Sequence, residues 1–187
     1  MRIETPPPSG IDGVNLRQIE RHDADQWFAY LCLAEVYEHT SWNVQSPADL
    51  APLFESFEAS GAATARRLAI IDTTANRLAG TIGFHTVSVD NRSAEIAYDL
   101  APAYWGRGIA SRLCEAVTCW SYGAFGFHRV QATVLVSNQR SERVLRRCHY
   151  RHEGILRAFR MVARKARRLQ LLLPAGYRSI DLRFAQG

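Results

Sequence analysis

The heptapeptide Tyr104-Trp105-Gly106-Arg107-Gly108-Ile109-Ala110 has the residue types of an anion-binding turn. Gly106 and Gly108 let main-chain amides approach a ligand with no Cβ in the way. The strongest helical pattern in the chain starts at Ile109, and a helix N-terminus adds unpaired N–H donors and partial positive charge. Bend and helix together suit a pyrophosphate. Two other phosphate motifs fail on residues. The mononucleotide loop needs a lysine after its second glycine, and Lys165, the only lysine, lies far away. A dinucleotide fingerprint needs a third glycine where Ser111 stands, and no acidic residue closes the next strand-like run.

A second stretch, residues 137–150, carries Asn138, which can cap a helix, and Ser141 on one face with Val144, Leu145 and Cys148. Arg140, Arg143, Arg146, Arg147 and Arg151 crowd the same helix and its exit, and Arg157, Arg160, Arg164, Lys165, Arg167 and Arg168 form a denser run. Such runs suit phosphates or acidic surfaces. A metal reading of Cys148-His149-x-x-His152 lacks a matching ligand pair.

The elements that position these residues follow from periodicity. Residues 14–19 read as a strand, residues 22–37 as a helix through Trp27, Tyr30, Leu31 and Ala34, and residues 47–60 as a helix that Pro52 kinks or delays. Strands are predicted at 68–72, around Leu78, Ile82 and Phe84 on one face, and at 94–100. In the last of these Glu95, Ala97 and Asp99 oppose Ile96, Tyr98 and Leu100. A helix over 109–120, with Ile109, Leu113, Ala116, Val117 and Trp120 on one face, precedes a strand at 130–135. That order predicts a right-handed βαβ unit with parallel strands. A further strand is predicted over 150–159.

The chain has 187 residues, 47% of them apolar and 22% charged, which describes one globular domain and excludes wholesale disorder. No apolar run reaches the roughly 18 residues of a membrane-spanning helix, and the first residues have no apolar signal core, so a cytoplasmic protein without membrane contact is expected. Residues 1–13, with their three successive prolines, read as a flexible leader to a domain over 14–173, with 174–187 as a tail. The net charge of +5 favours anionic partners. Cys32, Cys114, Cys119 and Cys148 have no CxxC spacing and read as reduced, mostly buried thiols.

Taken together, Tyr104–Ala110, the run Ala94-Glu95-Ile96-Ala97-Tyr98-Asp99-Leu100 ahead of it, and the pattern Asn138, Ser141, Val144, Leu145 and Tyr150 resemble the GNAT superfamily of acetyl-CoA-dependent N-acetyltransferases. The likeness is greatest to its RimJ/RimL-type branch, whose members acetylate ribosomal-protein N-termini and related amines. It covers roughly residues 68–160. Two departures stand out: His149 replaces the usual glycine, and the segment after Met161 is unlike the family's final strand, so an irregular tail is expected.

The resemblance implies an α/β (α+β) fold with a mixed, mostly antiparallel twisted sheet, helices on both faces and a splayed parallel strand pair. Acetyl-CoA would wedge into that splay. Backbone groups at Asp99 and Leu100 would hold the pantetheine and thioester. Amides of Trp105, Gly106, Arg107, Gly108, Ile109 and Ala110 would hold the pyrophosphate, with Asn138 contacting the cofactor or simply capping its helix. Many members use a tyrosine on the last helix to protonate the leaving sulfur. Leu145 stands there, so Ser141 becomes the candidate acid and also touches the cofactor. Glu95 and Asp99 are the candidate bases, with His85 a third. The implied acceptor is a primary amine, foremost a protein N-terminus, with a small amine or antibiotic as the alternative. A non-catalytic coenzyme A- or RNA-binding protein of the same fold stays open, as does a homodimer. Residues 27–43, including Trp42, and the hairpin near His85 would set acceptor specificity.

Overall fold

The computed structural model describes residues 2–38, 44–162 and 165–175. Its strands are β1 (Val14–Gln18), β2 (Arg66–Asp72), β3 (Arg77–Ser88), β4 (Ser93–Leu100), β5 (Arg129–Leu135), β6 (Tyr150–Val162) and β7 (Lys165–Pro174). The helices are α1 (Ala24–Leu31), α2 (Ala34–Tyr37), α3 (Ala51–Glu58), α4 (Ile109–Phe125) and α5 (Gln139–Arg147). The strands form one mixed sheet in the order β1-β2-β3-β4-β5-β7-β6, in which only β4 and β5 run parallel. No described helix is long and apolar enough to cross a membrane.

Each face of the sheet buries its own core. Trp27, Leu31, Leu50, Phe54 and Phe57 from the α1–α3 region pack on one side, with Trp27 and Phe54 edge-to-face at 5.9 Å. Leu113, Val117 and Leu145 from α4 and α5 pack with Ile82, Phe84 and Val130 on the other. Leu78, Ile82 and Phe84 do not share the single face expected of them: Ile82 and Phe84 pack on the α4–α5 side and Leu78 on the other. Gly80 pairs with Ile70 but Leu78 with Ile71, so Ala79 is an extra residue, and this bulge turns Leu78 to the α1–α3 side. A second bulge leaves His85 unpaired between Phe84 and Thr86.

The helix expected over 22–37 is divided, because Leu33 leaves helical geometry at φ −67° and ψ 133° before α2 starts. Pro52 falls in the first turn of α3, where its missing N–H costs nothing, after a 3-10 turn over Pro47–Leu50 capped by Ser46. Helix α4 runs five residues past the expected Trp120 and stops at Gly126, in the left-handed region at φ 63°. His149 adopts φ 62°, so the turn after α5 keeps the left-handed geometry that glycine takes easily.

The segment after Met161 is not irregular: it forms β7, which inserts between β5 and β6. The basic run hid the signal, since Leu169 and Leu172 are fully buried further along that strand. Within the segment read as a leader, residue 3 packs against the domain. Ile3 is buried, its amide donating to Gln18 Oε1 at 2.8 Å. Trp42, Arg164 and residues 176–187, for which the sequence raised expectations, lie outside the described residues.

Candidate active site

Strands β4 and β5 pair over three positions, ending at Glu95 opposite Gln131. Beyond Glu95, β4 stays with β3 as far as Leu100, while β5 pairs through Ala132–Leu135 with β7. The parallel strands therefore part, and their main-chain groups no longer satisfy each other. A cleft of about 670 Å³ lies in this region, a volume in the range of cofactor sites. Asp99 and Leu100 line it from β4, Trp105, Gly106, Gly108, Ile109 and Ala110 from the bend and α4, and Asn138 and Ser141 from α5. Arg107 and Glu95 are not among its lining residues.

The bend is built by two left-handed glycines, Gly106 at φ 75° and Gly108 at φ 76°. The first i−4 bond of α4 is Arg112 N–H to Gly108 O, so the amides of Ile109, Ala110 and Ser111 have no partner within the helix. Arg140, Arg143 and Arg147 line the same cleft from α5, with the Arg140 guanidinium 4.6 Å from the Trp105 ring centre. Unpaired amides, a helix dipole and three guanidiniums fit a group that carries a diphosphate. Trp105 is itself anchored, its indole N–H donating to Leu100 O at 2.8 Å.

Asn138 caps α5, its Oδ1 accepting from Ser141 N–H at 3.0 Å, and it also faces the cleft. Ser141 Oγ lies 2.8 Å from the Tyr98 hydroxyl, which also donates to Ser141 O at 3.2 Å. The Tyr98 phenol is pushed well up, chiefly by burial. Tyr98 was missed as a site residue, although the alternation of β4 already put it on the face opposite Asp99.

Asp99 faces the α1 side and both of its oxygens are taken. Oδ1 accepts from the Tyr30 hydroxyl, and Oδ2 accepts from Arg67 Nη2 at 2.5 Å and Thr81 Oγ1 at 2.8 Å. Arg67 also donates to Ala97 O at 3.0 Å and lies over the Trp27 ring. Burial, then the Asp99 charge, pushes the Tyr30 phenol well up. Glu95 is held the same way, by Thr133, His85 at 3.0 Å and Arg160 at 3.2 Å. Burial pushes its carboxyl up, but hydrogen bonds and charges from His85, Thr133 and Arg160 outweigh that and leave it below the usual range. The bulge at His85 aims the imidazole at Glu95. Tyr30, Arg67, Thr133 and Arg160 could not be found from spacing; the only signal was an arginine beside the apolar run of β2.

A family model described as an acetyltransferase (GNAT) domain matches residues 14–151. YoaA of Bacillus subtilis, named an N-acetyltransferase, is 32% identical over 150 residues, covering 79% of this chain and 85% of that protein. Two solved structures share the fold. Ribosomal-protein-S5-alanine acetyltransferase from Vibrio fischeri has a TM-score of 0.75 at 18% identity, over 90% of this chain and 97% of that one. Spermidine N-acetyltransferase from Vibrio cholerae, in complex with CoA and spermine, has a TM-score of 0.76 at 20% identity, over 89% and 99%. The chain therefore belongs to the GNAT acetyltransferase family and takes its acetyl group from acetyl-CoA.

Proposed function

We propose that this enzyme acetylates the α-amine of a polypeptide in the cytoplasm, by direct attack within a ternary complex. The observation that carries the reading is the state of its carboxylates: Asp99 is bound by Arg67, Tyr30 and Thr81, and Glu95 by Arg160, His85 and Thr133. Neither is a free base. At pH 7 an α-amine with a pKa of about 7.7–8.0 loses its proton for ~1–1.4 kcal/mol, whereas a lysine near 10.4 needs ~4.6 kcal/mol. A site with committed carboxylates suits the first amine, whose proton leaves through water, while Asp99 and Glu95 orient charge around it.

Bound acetyl-CoA supplies an acyl group already activated as a thioester. Main-chain amides from Gly106 to Ala110 grip the diphosphate, with Arg140, Arg143 and Arg147 as counter-charges; the Trp105 amide expected among them is taken, donating to Pro102 O at 3.0 Å. Main-chain N–H near Leu100 stabilises the developing oxyanion. Ser141, held by the Asn138 cap and Tyr98, passes a proton to the departing sulfur and is reprotonated through water by the proton the attacking amine releases.

A polyamine acceptor is the second reading, suggested by the spermidine enzyme of the same fold. The arginines bound to both carboxylates weaken it, since a polycation needs free negative charge. Thiol release with acetyl-CoA and a panel of N-terminal peptides, N-blocked lysine peptides and spermidine tests both. Free N-terminal peptides are expected to react at least tenfold faster, in kcat/KM, than either competitor, and a preference for spermidine overturns the proposal. Ser141→Ala is expected to lower kcat with little change in acetyl-CoA affinity.

A further inference from the structure

We propose that Tyr98 is the positioning residue that turns the Ser141 proton toward the departing sulfur, an inference that rests on the reading of Ser141 as the proton donor. Tyr98 stands beyond Glu95, the last β4 residue paired with β5, where β4 pairs with β3 alone and Tyr98 faces Ile82. Its ring packs against the apolar core on the α4–α5 side. Tyr98 and Ser141 both line the cleft, so the contact between their hydroxyls lies at its wall.

The hydrogen bonding at this contact gives Tyr98 its effect. The phenol has one proton and faces two acceptors, Ser141 Oγ at 2.8 Å and Ser141 O at 3.2 Å. A carbonyl only accepts, whereas a hydroxyl both donates and accepts. With the phenol proton on the carbonyl, the short contact requires Ser141 to donate to the phenol oxygen, and its proton is held inside the pair. With the phenol proton on Oγ, the serine proton is free to point into the cleft. Among the described residues Oγ has no other hydrogen-bond partner, so Tyr98 decides between the two arrangements.

The second arrangement gains as the reaction advances. The carbon–sulfur bond breaks, its electron pair stays on sulfur, and the serine proton moves there to form the thiol. Negative charge then builds on Oγ. A hydrogen bond to a charged oxygen is roughly twice as strong as a neutral one, so the hold of the phenol tightens as the proton leaves. Burial pushes the phenol well up, so Tyr98 keeps its own proton and stabilises Oγ without ionising. The bond to the Ser141 carbonyl, by contrast, ties β4 to α5 equally at every stage.

The test compares the wild type, Tyr98→Phe, Ser141→Ala and the double variant, each with acetyl-CoA. The acceptor is whichever of the N-terminal peptides, N-blocked lysine peptides and spermidine reacts fastest with the wild type. Single-turnover quench reads acetyl transfer apart from product release, calorimetry reads acetyl-CoA affinity, and thermal melts report folding. Tyr98→Phe keeps the ring and is expected to slow transfer at least fivefold, with acetyl-CoA affinity within twofold. Added to Ser141→Ala, the same change is expected to slow transfer less than twofold further, because no hydroxyl is left to orient. Losses that multiply in the double variant overturn the proposal, since Tyr98 then acts without Ser141. Transfer at the wild-type rate in Tyr98→Phe, beside a slow Ser141→Ala, keeps Ser141 as donor and removes Tyr98. A slow Tyr98→Phe beside an unaffected Ser141→Ala removes Ser141 as donor and the positioning role with it. A fall in acetyl-CoA affinity that matches the fall in rate reduces Tyr98 to a tie between β4 and α5, and overturns the proposal.

Discussion

Asp99 illustrates how a side chain's partners decide its chemistry. On β4 it is a carboxylate near a reaction centre, and spacing alone makes it a base. Packed against Arg67, Tyr30 and Thr81 it is one half of a nearly buried ion pair, with 4% and 8% of the two side chains exposed. Breaking such a pair strands a charge away from water, which costs about 3–5 kcal/mol. Asp99→Asn is therefore expected to lower unfolding stability by an amount of that order in denaturant titrations, and to reduce activity through the loss of order around β4. A stability loss below about 1 kcal/mol, with activity reduced as in base removal, would return Asp99 to the role of base.

The element that matters most is the bend into α4. It works because left-handed glycines turn the chain so that the first helical amides point outward with nothing to bond. No heavy atom lies within 4 Å of where a Cβ would stand on Gly108, so a substitution there acts through backbone strain and not through a clash with the protein. For an L-residue that strain is about 1–2 kcal/mol. Gly108→Ala is expected to weaken acetyl-CoA by about tenfold, the equivalent of ~1.4 kcal/mol, as read by calorimetry. Unchanged affinity would remove the bend from the binding site. Periodicity located α4 and its start because the apolar stripe is long. It failed at β3, where each bulge inserts a residue and shifts the alternation, and at β7, where arginines masked a strand with buried leucines.

At the scale of the whole molecule, the net charge of +5 has to be reconciled with the buried carboxylates Asp99 and Glu95. Glu95 titrates below its usual range in the folded chain and near ~4.3 in the unfolded one. Between those values the unfolded chain binds more protons. The stabilisation it contributes is thus complete above about pH 4.3 and disappears as pH falls through the folded value. Thermal melts from pH 6 to pH 3 are expected to show a steeper acid limb in the wild type than in Glu95→Gln. Equal limbs would mean that Arg160 and His85 do not hold that carboxylate.

The sequence by itself determined one wall of the cleft. Glycines, a helix start, a cap and a parallel crossover are local or nearly local features, and their physical consequences travel with the chain order. Gly106, Gly108, Asn138 and Ser141 were legible for that reason, whereas the parting of β4 from β5 was implied only by the family resemblance. Only the tertiary structure decided which partners hold Asp99 and Glu95. Arg67 meets Asp99 across 32 positions and Arg160 meets Glu95 across 65. No periodicity encodes such contacts, because they depend on sheet order, on two bulges and on which face each strand presents.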